Sequence, residues 1–340
     1  MANRLSTTTN NRLLPKVVDT VLNSNVLATM MLASAQKWVG RQIEKSIKVS
    51  KNTQGSSFSG LDTFGTAASD TRQKLVFNPK FYEIPVVVPL TELSVNKTDP
   101  NAIADLASIE LESTAEDMAD DIGTIFYGDG TGNGSKDFLG LEAIVDDGTN
   151  AATYGNLARA TYTTLQSTVT ASGGTLSLLK MANLYSAVSS GSVKTTKALC
   201  SETIFNLYEQ LLLPQERIAK DVPMMRNASA AVAGTGFTGL YFKGFPVLAD
   251  EKATSGVLYF LNENFLEWRG VPMAETKPVN YGIKDIEGND YTNVKGLGFS
   301  WSGWIIPSNQ ASLIGHIYLG GEFWSSNPKR HGKLTGITGV

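Results

Sequence analysis

The chain has 340 residues, 42% apolar and 18% charged, enough to bury a substantial core across two or three compact units. A formal net charge of −3 argues against tight binding of nucleic acid or an anionic membrane as its main task. One cysteine, Cys200, excludes an internal disulfide framework, and no run of about 18 apolar residues marks a membrane span.

The opening MANRLSTTTNNRLLPK is polar where a secretory signal needs an apolar segment. Residues 1–51 carry eight bases, Arg41, Lys45 and Lys48 among them, against two acids, Asp19 and Glu44. Val17–Ile43 has a helical pattern, and Ile47 and Val49 begin a strand. Residues 51–71 hold eleven Gly, Ser or Thr among twenty-one, with no continuous apolar face. A loop of that length is either functional or disordered. Phe58, Leu61 and Phe64 are the only large apolar side chains in it. Arg72–Val88 then reads as extended, and Pro79 and Pro85 suit edge strands. Two strands around a long polar tip make an arm-like hairpin. Such a hairpin is not stable alone, so it is expected to reach onto another molecule.

Asp99 suits an N-cap and Pro100 the first helical position. From there an apolar stripe runs Ile103, Ala107, Leu111, Ala115, Met118, Ile122, Ile125. Through Phe126 this predicts a helix of roughly 40 Å at ~1.5 Å per residue. From Asp99 through Asp129 there are nine carboxylates, including Glu112, Glu116 and Asp120, and no Lys, Arg or His. A rigid helix with an apolar face and an acidic remainder suits a girder that meets basic neighbours. The basic arm around Arg41, Lys45 and Lys48 is the candidate partner, from the same subunit or the next. The alternative is two solvated faces with no relationship. The helix stops at Gly128, Gly130, Gly132 and Gly134. GDGTGNGS has the spacing of neither GxGxxG nor GxxxxGK, and it follows a helix where phosphate loops follow a strand. Asp129, Thr131 and Asn133 begin like a calcium loop, but the twelfth position is Gly140, where a bidentate Glu is required. A chain of tight turns is expected.

Further on, Gly140–Val145 reads as a short strand, Thr175–Ser189 as an amphipathic helix and Lys197–Cys200 as a buried strand. Ser201–Leu213 reads as a helix with a Ser N-cap, and 227–239 as a small-residue loop. Strands follow at Leu240–Phe242, Phe245–Leu248, Val257–Leu261 and Phe265–Trp268, and Gly296–Tyr318 again reads as strand. The tail after Trp324, with PKRHGK, has no core pattern. Helices and strands mixed without regular alternation give an α+β fold.

Catalytic material is thin. His316, in an apolar strand, suits a hydrogen-bonded packing residue, and His331, in the basic tail, a solvated one. Cys200 suits a small buried hydrophobe. No GxSxG, HExxH, CxxC or Walker A pattern occurs. No catalytic, cofactor-binding or metal-binding residue is assigned, and enzyme activity is not expected.

The ordered set of elements resembles the major capsid proteins of tailed bacteriophages, with the HK97-type fold. The likeness covers the chain from about residue 40 onward. RQKLVFNPKFYEIPVVV (Arg72–Val88) looks like the returning strand of that family's extended E-loop, and the acidic helix looks like its spine helix. IFYGDGTGNGSKDFLGLEAIV is similar to the passage that follows the spine. PQERIAK (Pro214–Lys220), GFTGLYFKGFPVLADE and LYFLNENFLEW look like its axial domain. The resemblance implies an N-terminal arm at 1–46, an E-loop at 47–95 and a peripheral domain at 96–170 with the spine at about 100–127. It further implies an axial domain at 171–289, with 290–340 returning to the peripheral domain and forming a C-terminal tail.

It also implies hexamers and pentamers in an icosahedral virion shell around double-stranded DNA, assembled in the host bacterial cytoplasm. The DNA would be met by non-specific proximity only, and portal and decoration proteins are family partners. No fused scaffolding segment precedes the arm, so a separate scaffolding protein is expected, or none. Some relatives weld their shells by a Lys–Asn isopeptide bond; Lys51 lies in the hairpin, but no partner aligns, and that chemistry is not carried over. Neither a cofactor nor a membrane is implied. The inter-subunit contact candidates are Arg41, Lys45, Lys48, Phe58, Leu61, Phe64, Glu112, Glu116 and Asp120. The competing readings are an encapsulin-like shell storing protein cargo, a divergent hydrolase or transferase, and a tail-tube protein, which would be mostly β and lack the acidic helix.

Overall fold

One long helix and two sheets organise the chain. The structure is a computed structural model that describes residues 25–95, 102–212, 240–271 and 298–340. Arg4, Arg12, Lys16, the expected cap at Asp99, PQERIAK and the loop at 227–239 lie outside those residues, as do the side chains of Ile103, Ala107, Leu111 and Glu112.

Helix α1 (Val26–Ala33) is apolar around its whole circumference and buried along nearly all of it, as such a sequence requires. The helical pattern expected over Val17–Ile43 ends here within the described residues. Strand β1 (Gln36–Lys37) follows, and Gly40 turns at φ +86° before strand β2 (Ile43–Lys48). Strand β3 (Arg72–Phe77) pairs antiparallel with β2, so the hairpin forms as expected. Next come β4 (Lys80–Pro89), α2 (Leu90–Val95) and the long helix α3 (Ala102–Tyr127). Ala115, Met118, Ile122 and Phe126 on α3 are buried. Helix α1 lies against it, and Asn25 Nδ2 donates to the Ala119 carbonyl at 2.8 Å. A side chain at Gly123 would overlap Asn25, so glycine there permits the close approach. Buried Asp250 joins three elements, accepting from the Leu27 amide at 2.9 Å and the Tyr127 hydroxyl at 3.0 Å beside its own strand end.

The first sheet is built on β14 (Ser312–Ser325). Strand β4 runs along one edge for ten residues, from Pro89 opposite Ser312 to Lys80 opposite Gly321. Strands β12 (Leu266–Gly270) and β13 (Phe299–Trp301) occupy the other edge, and β1 extends the sheet beyond β12. One face, with Val86, Ile317 and Leu319, shares a core with Met118, Ile122 and Phe126 of α3. Strands β5 (Thr153–Tyr154) and β6 (Leu157–Ala158) form a short antiparallel hairpin, and the second sheet has the order β7-β15-β11-β8-β10-β9. Its strands are β7 (Thr168–Thr175), β8 (Lys197–Cys200), β9 (Leu240–Phe242), β10 (Phe245–Ala249), β11 (Leu258–Leu261) and β15 (Gly332–Gly339). Helices α4 (Leu178–Val188) and α5 (Glu202–Leu212) cover one face, through Met181, Leu184, Ile204 and Tyr208. The other face contributes Leu199, Leu248 and Tyr259 to the main core. Burial on both faces explains why Lys197–Cys200 reads as an unbroken buried run.

Three expectations are corrected. Gly140–Val145 is not a strand; Leu141–Ile144 forms a single helical turn. The run is too short for periodicity to separate the two. Ser201 precedes α5, yet its hydroxyl has no hydrogen-bond partner, so the expected cap bond is not made. The tail is not coreless: β15 sits inside the second sheet, with Leu334 and Ile337 buried.

Candidate assembly surfaces

The base of the hairpin is fixed by burial. Leu75 and Phe77 are buried, and the Phe77 ring meets Tyr154 at 5.2 Å and Trp324 at 5.5 Å between centroids. Beyond the pairing of Lys48 with Arg72, every residue from 50 to 70 is exposed. At the tip, Phe58 is 66% exposed, Phe64 65% and Leu61 102%. These three were the apolar candidates from the sequence, and no core claims them.

The tip nonetheless has order. The Phe58 and Phe64 rings pack edge to face at 5.0 Å. Between them, the Asp62 amide donates to the Ser59 carbonyl at 2.9 Å, and the Ser59 amide donates to Asp62 Oδ2 at 2.7 Å. That turn presents Leu61 at its apex.

The two charge runs lie on different elements. Arg41, Lys45 and Lys48 are exposed and make no ion pair among the described residues, whereas Lys74 across the hairpin bonds Glu44 at 2.7 Å. On α3, Glu116 and Asp117 are exposed. Asp120 pairs with Lys252, and Asp121 accepts the Tyr82 hydroxyl. The bond to Asp120 holds the Lys252 ammonium above its ordinary range. Burial first, and the bond to Asp121 second, push the Tyr82 phenol up. Within the described residues the acidic helix therefore meets Lys252 and Tyr82. Among the described residues no ion pair joins it to Arg41, Lys45 or Lys48.

The sheet face turned away from α3 is a surface that the sequence left unmarked. Phe81, Glu83, Pro85 and Val87 of β4 all point outward and are exposed. Opposite them on β14 stand Gly320, Tyr318, His316 and Ile314. Ile305 exchanges two 2.8 Å backbone bonds with Ile314, so Val87, Ile314 and Ile305 form a row across three strands. A side chain at Gly320 would overlap the Phe81 ring, which lies over that glycine. Both residue phases of 80–88 are apolar, so alternation alone does not separate the buried face from this one.

The titratable groups are structural. His316 Nδ1 bonds Glu83 Oε2 at 2.7 Å and the ring stacks on Tyr318, in keeping with a packing residue. His331 is not solvated, contrary to expectation. It is fully buried, Nδ1 accepts from the Asn262 amide at 3.2 Å, and Nε2 bonds Ser325 Oγ at 2.8 Å. Burial pushes its pKa down to about 3. Burial likewise pushes the Cys200 thiol up to about 12 and the Glu322 carboxyl up to about 7. In the glycine run, Asn133, Gly134 and Ser135 are left-handed and form the expected turns. Asp129 accepts from the Thr131 amide and hydroxyl, which lowers its pKa. Among the described residues no group of three His, Cys, Asp or Glu is placed to hold a metal.

No protein-family model matches the sequence, and no curated protein matches it. Solved structures do match in shape. The capsid chain of cyanophage A-1(L) aligns with a TM-score of 0.63 at 14% identity, over 91% of this chain and 94% of that one. The capsid of Myoviridae phage XM1 aligns at 0.54 and 15% identity, over 91% and 90%. The fold is the HK97-type capsid fold. The same fold in another setting is the holo-SrpI encapsulin complex of Synechococcus elongatus PCC 7942, at 0.57 and 10% identity, over 92% and 86%. The capsid chains that share this HK97-type fold are structural proteins, not enzymes. Among the described residues of this HK97-type chain, no helix is long and apolar enough to cross a membrane.

Proposed function

We propose that this chain is the major capsid protein of a tailed bacteriophage, many copies of which close into an icosahedral shell of hexamers and pentamers around double-stranded DNA. The observation that carries the reading is a capsid fold spanning nine-tenths of the chain, with a hairpin whose apolar tip its own subunit leaves bare. In this reading β2, β3 and the tip are the E-loop and α3 is the spine of the peripheral domain. The unit on the six-stranded sheet is the axial domain, and the arm lies along a neighbour. The chain does no chemistry; its work is geometric. Arg41, Lys45 and Lys48, unpaired among the described residues, meet the acidic helix of a neighbouring subunit at Glu112, Glu116 and Asp120. A separate scaffolding protein, a portal and decoration proteins are the expected partners, and the virion is the place of residence.

The fold likeness to an encapsulin favours a second reading, a shell that stores protein cargo. Nuclease-treated particles from the native source separate the two. Protected double-stranded DNA of uniform length supports the capsid reading. A protein cargo without DNA supports the storage shell.

A further inference from the structure

The turn that follows the long helix α3 carries a reactive pair that the shell reading leaves unused. Asn133 and Gly134 make the single Asn-Gly step in the sequence. Residues 131–136 are all exposed, and Asn133, Gly134 and Ser135 are left-handed, at φ +50°, +67° and +67°. Asparagine and glycine enter that region at lower cost than most residues, which explains their place in the turn.

We propose that Asn133 is a site of spontaneous deamidation, a covalent change that sets two carboxylates against each other in this turn. The site goes beyond the shell-subunit reading and does not depend on it.

Three features favour the reaction at this asparagine. The attacking nitrogen belongs to Gly134, whose amide donates no hydrogen bond among the described residues. A side chain at Gly134 would meet nothing within 4 Å, so the point of attack is open. With no Cβ at Gly134, rotation about ψ of Asn133 is little hindered and can swing the nitrogen onto Cγ. Asn150 supplies the contrast. It too is exposed, but the amide that follows it, that of Ala151, is held by Asp146 Oδ2 at 3.0 Å.

The Gly134 nitrogen bonds to Cγ of Asn133 and gives up its proton; the Cγ–Nδ2 bond breaks, and ammonia leaves with that proton. Water then opens the cyclic imide at either carbonyl, giving aspartate or isoaspartate. Either product removes the 2.9 Å bond from Asn133 Nδ2 to Asp137 Oδ1 and puts like charge in its place. Isoaspartate also lengthens the backbone inside the turn closed by the Ser135 amide on the Thr131 carbonyl and the Lys136 amide on the Gly132 carbonyl. The Asp137 carbonyl accepts the Lys80 ammonium of β4, so loosening of the turn reaches the edge of the first sheet.

Purified full-length chain, incubated over a range of pH and digested with pepsin in acid, tests the site. Mass spectrometry with electron-transfer fragmentation distinguishes aspartate from isoaspartate. The expected result is conversion of Asn133 ahead of Asn150 and every other asparagine, to both products. Its rate should rise roughly tenfold per pH unit, as one proton leaves the nucleophile. An Asn133 that stays unconverted, or converts no faster than Asn150, overturns the proposal. Hydrogen exchange across residues 131–137 tests the consequence. Asn133→Asp should exchange faster there than Asn133→Ser, which drops the bond to Asp137 without adding charge; equal exchange in the two overturns the opposition of carboxylates.

Discussion

Buried ionisable groups give the subunit two opposed pH dependences. Unfolded, His331 titrates near 6.5; folded, it resists protonation down to about 3. Its contribution is complete above pH 6.5 and is lost as pH falls through that window, because the unfolded chain takes up the proton first. Glu322 behaves oppositely. Its carboxyl, ordinarily near 4.5, titrates at about 7 in the folded chain, which keeps a proton that the unfolded chain has released. Stability from this residue is complete below about pH 4.5 and declines as pH rises to 7. Glu322→Gln keeps an oxygen to accept from the Leu139 and Phe323 amides and removes the titration. Urea unfolding of the unassembled subunit should show the variant gaining about 3 kcal/mol on wild type between pH 4.5 and pH 8. A pH-independent difference would contradict the burial assigned to Glu322.

Arg159 makes the complementary case. It is fully buried, donating to the carbonyls of Ala143, Ile144, Ala151 and Leu165 and pairing with Asp146 at 3.3 Å. Arg159→Met should cost about 3–5 kcal/mol in the same measurement, since Asp146 keeps the amides of Gly148, Asn150 and Ala151 but loses its buried cationic partner. A loss of under about 1 kcal/mol would show that those three amides suffice to hold the carboxylate. Residue roles such as these were the least legible in the sequence. His331 sits among Lys329, Arg330 and Lys333, and local composition pointed to water. Its burial comes from Asn262 and Ser325, which are distant or unremarkable in sequence.

Elements with a strong local signature were legible. Helix α3 announced itself by its stripe, the hairpin by its polar tip and β8 by its unbroken apolar run. Strand β15 was missed because GKLTGITG is rich in glycine and threonine. It earns its place by pairing on both edges, parallel to β7 and antiparallel to β11. Non-local pairing of that kind leaves little local trace. At this scale the hairpin offers a direct test. Residues 55–67 lie in the exposed tip beyond the paired stem, so replacing them with a short Gly-Ser turn should leave the unfolding midpoint of the subunit unchanged. Stable shells should fail to form, as gradient sedimentation would reveal. Shells of normal stability would make the tip an ornament, and a variant that does not fold would place it in a core.

The acidic helix gives a second test. Each exposed pair would be worth only ~0.2–1 kcal/mol, but in the proposed shell it would repeat with every copy and be screened by salt. Replacing Glu112, Glu116 and Asp120 by Gln or Asn should slow assembly at low salt, with a smaller effect at high salt, as followed by light scattering. Asp120→Asn alone also removes the pairing with Lys252 and controls for that internal contact. Identical kinetics at every ionic strength would mean the two charge runs are only solvated.

At the scale of the whole molecule, the order of elements carried the fold: arm, hairpin, girder helix, glycine turn and mixed sheets. The sharing of the two sheets between distant segments was not legible, because β14 and β15 are consecutive yet enter different sheets. Neither was the exposed sheet face, since both phases of β4 carry apolar residues and only the position of α3 decides which is covered. A subunit with an exposed apolar knob, an exposed apolar sheet face and a long acidic helix carries surfaces that one copy does not bury. Electron microscopy of the full chain, expressed with its neighbouring assembly genes, tests that claim most directly. The account predicts closed shells of uniform diameter or ring-shaped capsomers; a compact monomer at high concentration under every condition would contradict it.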